Sequence, residues 1–146
     1  MSWTRRIERL ARLREWAEQE RDQLYAEVTV LEQQKQELYT QVQQLQDYLS
    51  EYVGNAHQEV SFVSQLLAQN IFVERLNQAI EATQAKVPPI DEKIQGLTGV
   101  LAEKQQRVKL LEILHERWCQ NREVHLSKQE QQMLDDWVQQ KNSQKS

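Results

Sequence analysis

Three histidines, His57, His115 and His125, and a single cysteine, Cys119, carry the widest chemical range in this chain. His115 and Cys119 stand four residues apart, so on a helix they share one face. Together they offer an imidazole and a thiolate to one metal ion, too few ligands for a structural zinc site. His125 lies beyond the adjacent turns that a helical zinc pair uses, and His57 is distant. A thiol becomes a nucleophile when a base and an orienting group stand beside it, and the sequence supplies no such set around Cys119. Gly54, Gly96 and Gly99 are scattered, so no glycine-rich loop cradles a phosphate, and there is no Walker lysine. Carboxylates are plentiful, among them Glu18, Glu20, Asp22, Asp135 and Asp136. Paired-carboxylate catalysis needs a cleft, and charges on exposed helix faces ordinarily solvate the helix and form weak i,i+4 pairs. These residues predict no catalytic centre, no cofactor and no metal site.

The elements that would position any site are helical. The chain has 146 residues, a length for one domain, with 24 glutamines, three glycines and two prolines. Its mean hydropathy is −0.80. Gln, Glu, Lys, Arg, Ala and Leu are good helix formers, and this makeup suits long solvent-facing helices better than a compact bundle. Disorder is the other reading of so polar a chain, and a heptad repeat argues against it. The formal charge is −4, with both signs mixed along the chain. No basic stripe favours nucleic acid. No apolar run follows the arginines near the start, so no secretory signal is expected, and none is long enough to insert directly into a membrane. One cysteine fits a reducing compartment. A cytoplasmic protein is the default.

Leu10, Ala17, Leu24, Leu31, Leu38, Leu45 and Tyr52 recur every seven residues, with Trp3 and Ile7 extending the phase backward. A 3.5-residue period keeps one seam facing a partner helix. The companion position holds Val28, Val42 and Leu49 but also Arg14, Arg21 and Lys35, whose stems can lie along the seam with the charge in water. Ser2 or Thr4 is the candidate N-cap, and Gly54-Asn55 is the expected C-cap. A second seam follows with the same spacing: Val73, Ile80, Val87, Ile94, Leu101 and Val108, with Leu76, Thr83, Ile90, Leu97, Lys104, Leu111 and Trp118 as companions. It passes Pro88-Pro89 without losing phase. Either a strained helix is held straight there by its partner, or the prolines open a new helix after a short step. Beyond Leu111 the heptads loosen. Ser127 and Glu130 read either as a capping box or as plain helix surface, and the tail from Lys141 should fray.

A short connection between two such seams predicts an all-α, rod-like, antiparallel two-helix coiled-coil hairpin with a kink near Pro88-Pro89. It would be one domain over 1–146. Its first helix would cover 3–53, its connection 54–60, and its second arm 61–140, with interruptions near 70 and 88. A dimer of long helices is the structural rival. The second helix is the longer, so its tail should project or associate elsewhere. Such a molecule acts by surface recognition. Phe72, Leu76 and Ala79 extend an apolar strip outward, as binding anchors or as cover for the hairpin end. Leu13 and Trp16 flank the first seam, where Trp16 either packs on the returning helix or meets another protein. With Glu20 and Trp118 they mark a loosely packed open end that would engage a partner.

Several stretches in order resemble the FliJ family, the small coiled-coil component of the bacterial flagellar type III export apparatus. They are Leu10 to Leu24 with Ala17-Glu18-Gln19-Glu20, Leu49-Ser50-Glu51-Tyr52, Phe72 to Ile80, Glu103 to Glu112, and Glu130 to Trp137. The resemblance covers nearly the whole chain. It implies an antiparallel coiled coil similar to the stalk of rotary ATPases. It also implies binding to the hexameric export ATPase and to the export gate membrane protein, and escort of empty export chaperones. The location implied is the cytoplasmic face of the inner membrane, reached through the apparatus. Family gate-binding residues correspond to Phe72, Leu76, Ala79 and Thr83. Thr83 departs from the longer polar residue frequent there, Pro88-Pro89 is a further departure, and this chain is mildly acidic where relatives are often basic. The equivalent stalk of a non-flagellar secretion system, or a generic coiled-coil scaffold, is the alternative.

Overall fold

A computed structural model of the protein describes residues 2–59 and 63–144. Among them the chain forms α1 (Trp3–Glu59), α2 (Val63–Gln84) and α3 (Val87–Gln144), with no strand. The fold is all-α. Burial follows the heptad register. In α1, Ile7, Ala17 and Val42 are buried, while Leu10, Leu24, Leu31, Leu38, Leu45 and Tyr52 are half-buried. In α2 and α3 the buried residues are Ile80, Thr83, Val87, Leu101 and Val108. No described side chain falls below 2% exposure. One partner helix covers a seam from one side only, so interior burial of the kind seen in a wide bundle is not reached.

Two compact units divide the residues. Met1–Asp22 with Ala102–Ser146 make one, and Gln23–Leu101 make the other. Within each, the pairing is antiparallel. In the first, Trp3 meets Trp118, Arg14 meets Glu112 and Glu20 meets Lys104. In the second, Lys35 meets Asp91, and Tyr48 and Tyr52 meet Phe72. In both series one partner's number rises as the other's falls.

Ser2 is the N-cap of α1: its Oγ accepts the backbone N–H of Arg5 at 3.3 Å. The expected C-cap at Gly54-Asn55 is not there. Helix α1 runs on to Glu59, and no glycine has a positive φ. A glycine permits a left-handed stop but does not impose one, and here the helical geometry continues through it. The connection predicted over 54–60 is therefore helical through Glu59, and the predicted apolar turn beginning at Ser61 and Phe62 falls partly outside the described residues. Asn70 makes no break, since α2 passes through it. Ser127 and Glu130 lie inside α3 as helix surface, not as a cap, and helical structure reaches Gln144; the rest of the tail expected to fray from Lys141 falls outside the described residues.

The interruption lies at Ala85 and Lys86, just before the prolines. The Ala85 N–H donates to the Glu81 carbonyl at 2.9 Å and the Lys86 N–H to the Thr83 carbonyl at 3.2 Å, tightening the last turn of α2. Val87 opens α3, which puts Pro88 and Pro89 in its first turn. N–H groups have no intrahelical acceptor there, so the missing donors cost no hydrogen bond. Of the two sequence readings, a new helix after a short step is the one adopted.

Candidate partner-binding faces

Helix α2 sets Phe72, Leu76, Ala79 and Thr83 at successive turns of one face. Phe72 is half-buried, its ring edge-on to Tyr48 at 6.1 Å and tilted against Tyr52 at 4.5 Å between centroids. It covers part of α1 while keeping some exposed surface. Leu76 and Ala79 are also half-buried. Thr83 is buried, and its Oγ1 donates to the Ala79 carbonyl at 2.8 Å. That bond satisfies the hydroxyl within its own helix and leaves the face apolar. Leu66, Leu67 and Ile71 are exposed on other sides of α2. Sequence reasoning misses Ile71. Its signal is the uncharged run from 60 to 73, more apolar than a solvent-facing helix needs.

In the other unit, α1 presents Leu13 and Trp16, 40% and 55% exposed. Trp16 thus stands free of the returning helix. Glu20, one turn on, is half-buried, its Oε2 taking a hydrogen bond from Lys104 Nζ at 3.0 Å. Arg14 lies on the seam between them and bridges Glu18 at 3.0 Å and Glu112 at 3.3 Å. These ties hold the backbone under Leu13 and Trp16 without covering the two apolar side chains. Trp118 is placed differently. It is half-buried, edge-on to Trp3 at 5.8 Å and under the Arg6 guanidinium at 5.4 Å. It belongs to the packing between helices and not to the open surface with Leu13 and Trp16.

The residues with chemical range stay apart. Cys119 Sγ lies 3.9 Å from His115 Nδ1, as their spacing predicts. Among the described residues no three His, Cys, Asp or Glu side chains converge as a metal site, and no helix is long and apolar enough to cross a membrane. Lys35, on the α1 seam, has its ammonium pKa raised, chiefly by a hydrogen bond to Asp91, which is 2.7 Å away.

Both units thus carry exposed apolar side chains beside a paired-helix seam. The family described as Flagellar FliJ protein matches residues 6–146. The chain belongs to the FliJ family. No curated protein and no solved structure matches it. Members of the FliJ family are non-enzymatic, and membership gives this chain a general role in flagellar type III export and in contacts with components of that apparatus.

Proposed function

We propose that this FliJ-family chain is a stalk that binds the flagellar export ATPase, helps its hexamer assemble or hydrolyse ATP, touches the export gate and escorts empty export chaperones. It would work in the cytoplasm, peripheral to the inner membrane through the apparatus. The observation that carries this reading is the exposed pair Leu13 and Trp16 on a segment fixed by ion pairs. Large apolar side chains on a rigid helix are the usual anchors of a protein contact. They serve as the ATPase face, with Glu20 at its edge. Phe72, Leu76 and Ala79 serve as the gate face, with Thr83 supporting them from within the seam.

The test is ATP hydrolysis by the export ATPase with and without this protein, paired with a readout of hexamer formation. Leu13→Ala with Trp16→Ala should keep full helicity, because both side chains are exposed, and lower the stimulation about tenfold or more. Unchanged stimulation removes the ATPase face from these residues. Phe72→Ala should abolish gate binding and leave ATPase binding intact. Equal loss of both, with reduced helicity, means that Phe72 acts only through folding.

A further inference from the structure

Helix α3 changes character after Arg122. Up to that residue a seam position is buried or half-buried in every turn; from Glu123 to Gln144 every residue is exposed. The seam register itself turns polar, continuing through His125, Gln129, Gln132, Asp136 and Gln139. A different stripe is apolar. Leu126, Met133, Leu134, Trp137 and Val138 share one face at helical spacing and are 48% to 73% exposed. Leu126 borders a cavity lined also by Ser2, Trp3 and Thr4; among the described residues no α1 residue stands opposite Met133, Leu134, Trp137 or Val138, which lie past the point where Trp3 meets His125. A run of five large apolar side chains along a helix is more than scattered surface hydrophobics.

We propose that this stripe is a self-association surface, and that its occupant is the same segment of a second copy running antiparallel. The charges select that partner. Glu130 and Lys141 lie on the stripe itself, Glu130 between Leu126 and Met133 and Lys141 one turn past Val138. With a dyad between Asp135 and Asp136, Glu130 of each copy falls opposite Lys141 of the other. The same register sets Met133 opposite Val138 and Leu134 opposite Trp137. A two-fold interface requires this reciprocity. Parallel in-register pairing would set Glu130 against Glu130 and Lys141 against Lys141, an unfavourable choice. Asp135 and Asp136 point away from the stripe by helical spacing and do not meet at the dyad. Gln129, Gln131 and Gln140 flank the stripe, so no like charges oppose across its borders. Lys141 Nζ already lies 4.3 Å from the Trp137 ring centroid, which carries its positive charge over the apolar strip. The segment spans about three heptads, enough for a coiled-coil pair when the seam is well filled.

The full chain tests this by sedimentation equilibrium from about 1 to about 100 µM. A reversible monomer–dimer equilibrium is expected. Leu134→Glu with Trp137→Glu should leave helicity unchanged and give a monomer throughout. Glu130→Lys alone should weaken dimerisation roughly five- to tenfold, since both symmetric pairs become repulsive. Adding Lys141→Glu to Glu130→Lys should restore the wild-type constant. A chain that is monomeric across the range leaves the stripe to an unlike protein and overturns the proposal. So does a dimer that survives the double glutamate variant, or a charge swap that fails to restore association.

Discussion

The unit of Met1–Asp22 and Ala102–Ser146 and the unit of Gln23–Leu101 fill one seven-residue repeat in different ways. In the first, charged side chains cross the seam: Arg14 reaches Glu112 and Lys104 reaches Glu20, beside the Trp3–Trp118 contact. In the second, aliphatic residues dominate through Val42, Ile80 and Val87, one lysine reaches Asp91, and Phe72 packs on two tyrosines. Exposed ion pairs add roughly 0–1 kcal/mol each, so the crossing charges of the first unit contribute register more than stability. Apolar burial carries the stability in both. The difference shows how a single periodicity can supply alignment in one place and cohesion in another.

Aromatic residues allow the two to be followed separately. Trp3, Trp16, Trp118 and Trp137 all fall in the first unit, and Tyr25, Tyr39, Tyr48 and Tyr52 all fall in the second. The largest expected effect comes from an aspartate on either seam. Val108→Asp in the first unit and Val42→Asp in the second should each cost about 3 kcal/mol or more, because an unpaired charge replaces a buried methyl pair. Thermal unfolding read by tryptophan and by tyrosine emission checks this. As one domain, either variant moves both signals together. If Val108→Asp lowers only the tryptophan transition and Val42→Asp only the tyrosine one, the single-domain reading is lost.

A smaller effect of opposite sign is expected at Gly99. It lies in the interior of α3, and a Cβ built there meets nothing within 4 Å. Gly99→Ala should stabilise by about 0.5–1 kcal/mol, raising the denaturant midpoint with an unchanged m-value. The smallest effect concerns Lys35. Its pKa is raised in the folded chain, first by the hydrogen bond to Asp91. A raised lysine pKa adds stability fully below the unfolded value, about 10.4, and that stability is lost as pH rises through the folded value. Melting of the native chain should therefore fall slightly more steeply above about pH 10 than melting of Lys35→Met. Parallel curves would mean that the pair with Asp91 adds nothing measurable.

The seams are legible because a narrow apolar edge has one way to be buried. Every buried residue from Ile7 to Val42 and from Ile80 to Val108 falls on a seam position that spacing alone gives. The basic seam residues Arg14, Arg21 and Lys35 are legible too, since their stems and their charges want different surroundings. Helix ends are not. Gly54 reads as a stop, yet a glycine in a strong helical context keeps the helix when nothing downstream rewards leaving it. Ser127 with Glu130 has the letters of a cap, but the preceding turns are equally helical and never end. At the candidate faces, the sequence identifies Phe72 and Trp16 but not which side each would show, because that depends on the facing helix. Trp118 fits the seam pattern, and its contact with Trp3 follows from antiparallel pairing.

The step at Ala85 and Lys86 has a consequence for how this protein can vary. Both residues are exposed, so their side chains are free to change. Their number is not. Thr83 and Val87 both face inward across the gap, and each residue added or removed turns the downstream helix by roughly 100°. Substitutions there should be nearly silent, whereas a one-residue insertion would swing Val87, Ile90 and Ile94 out to water.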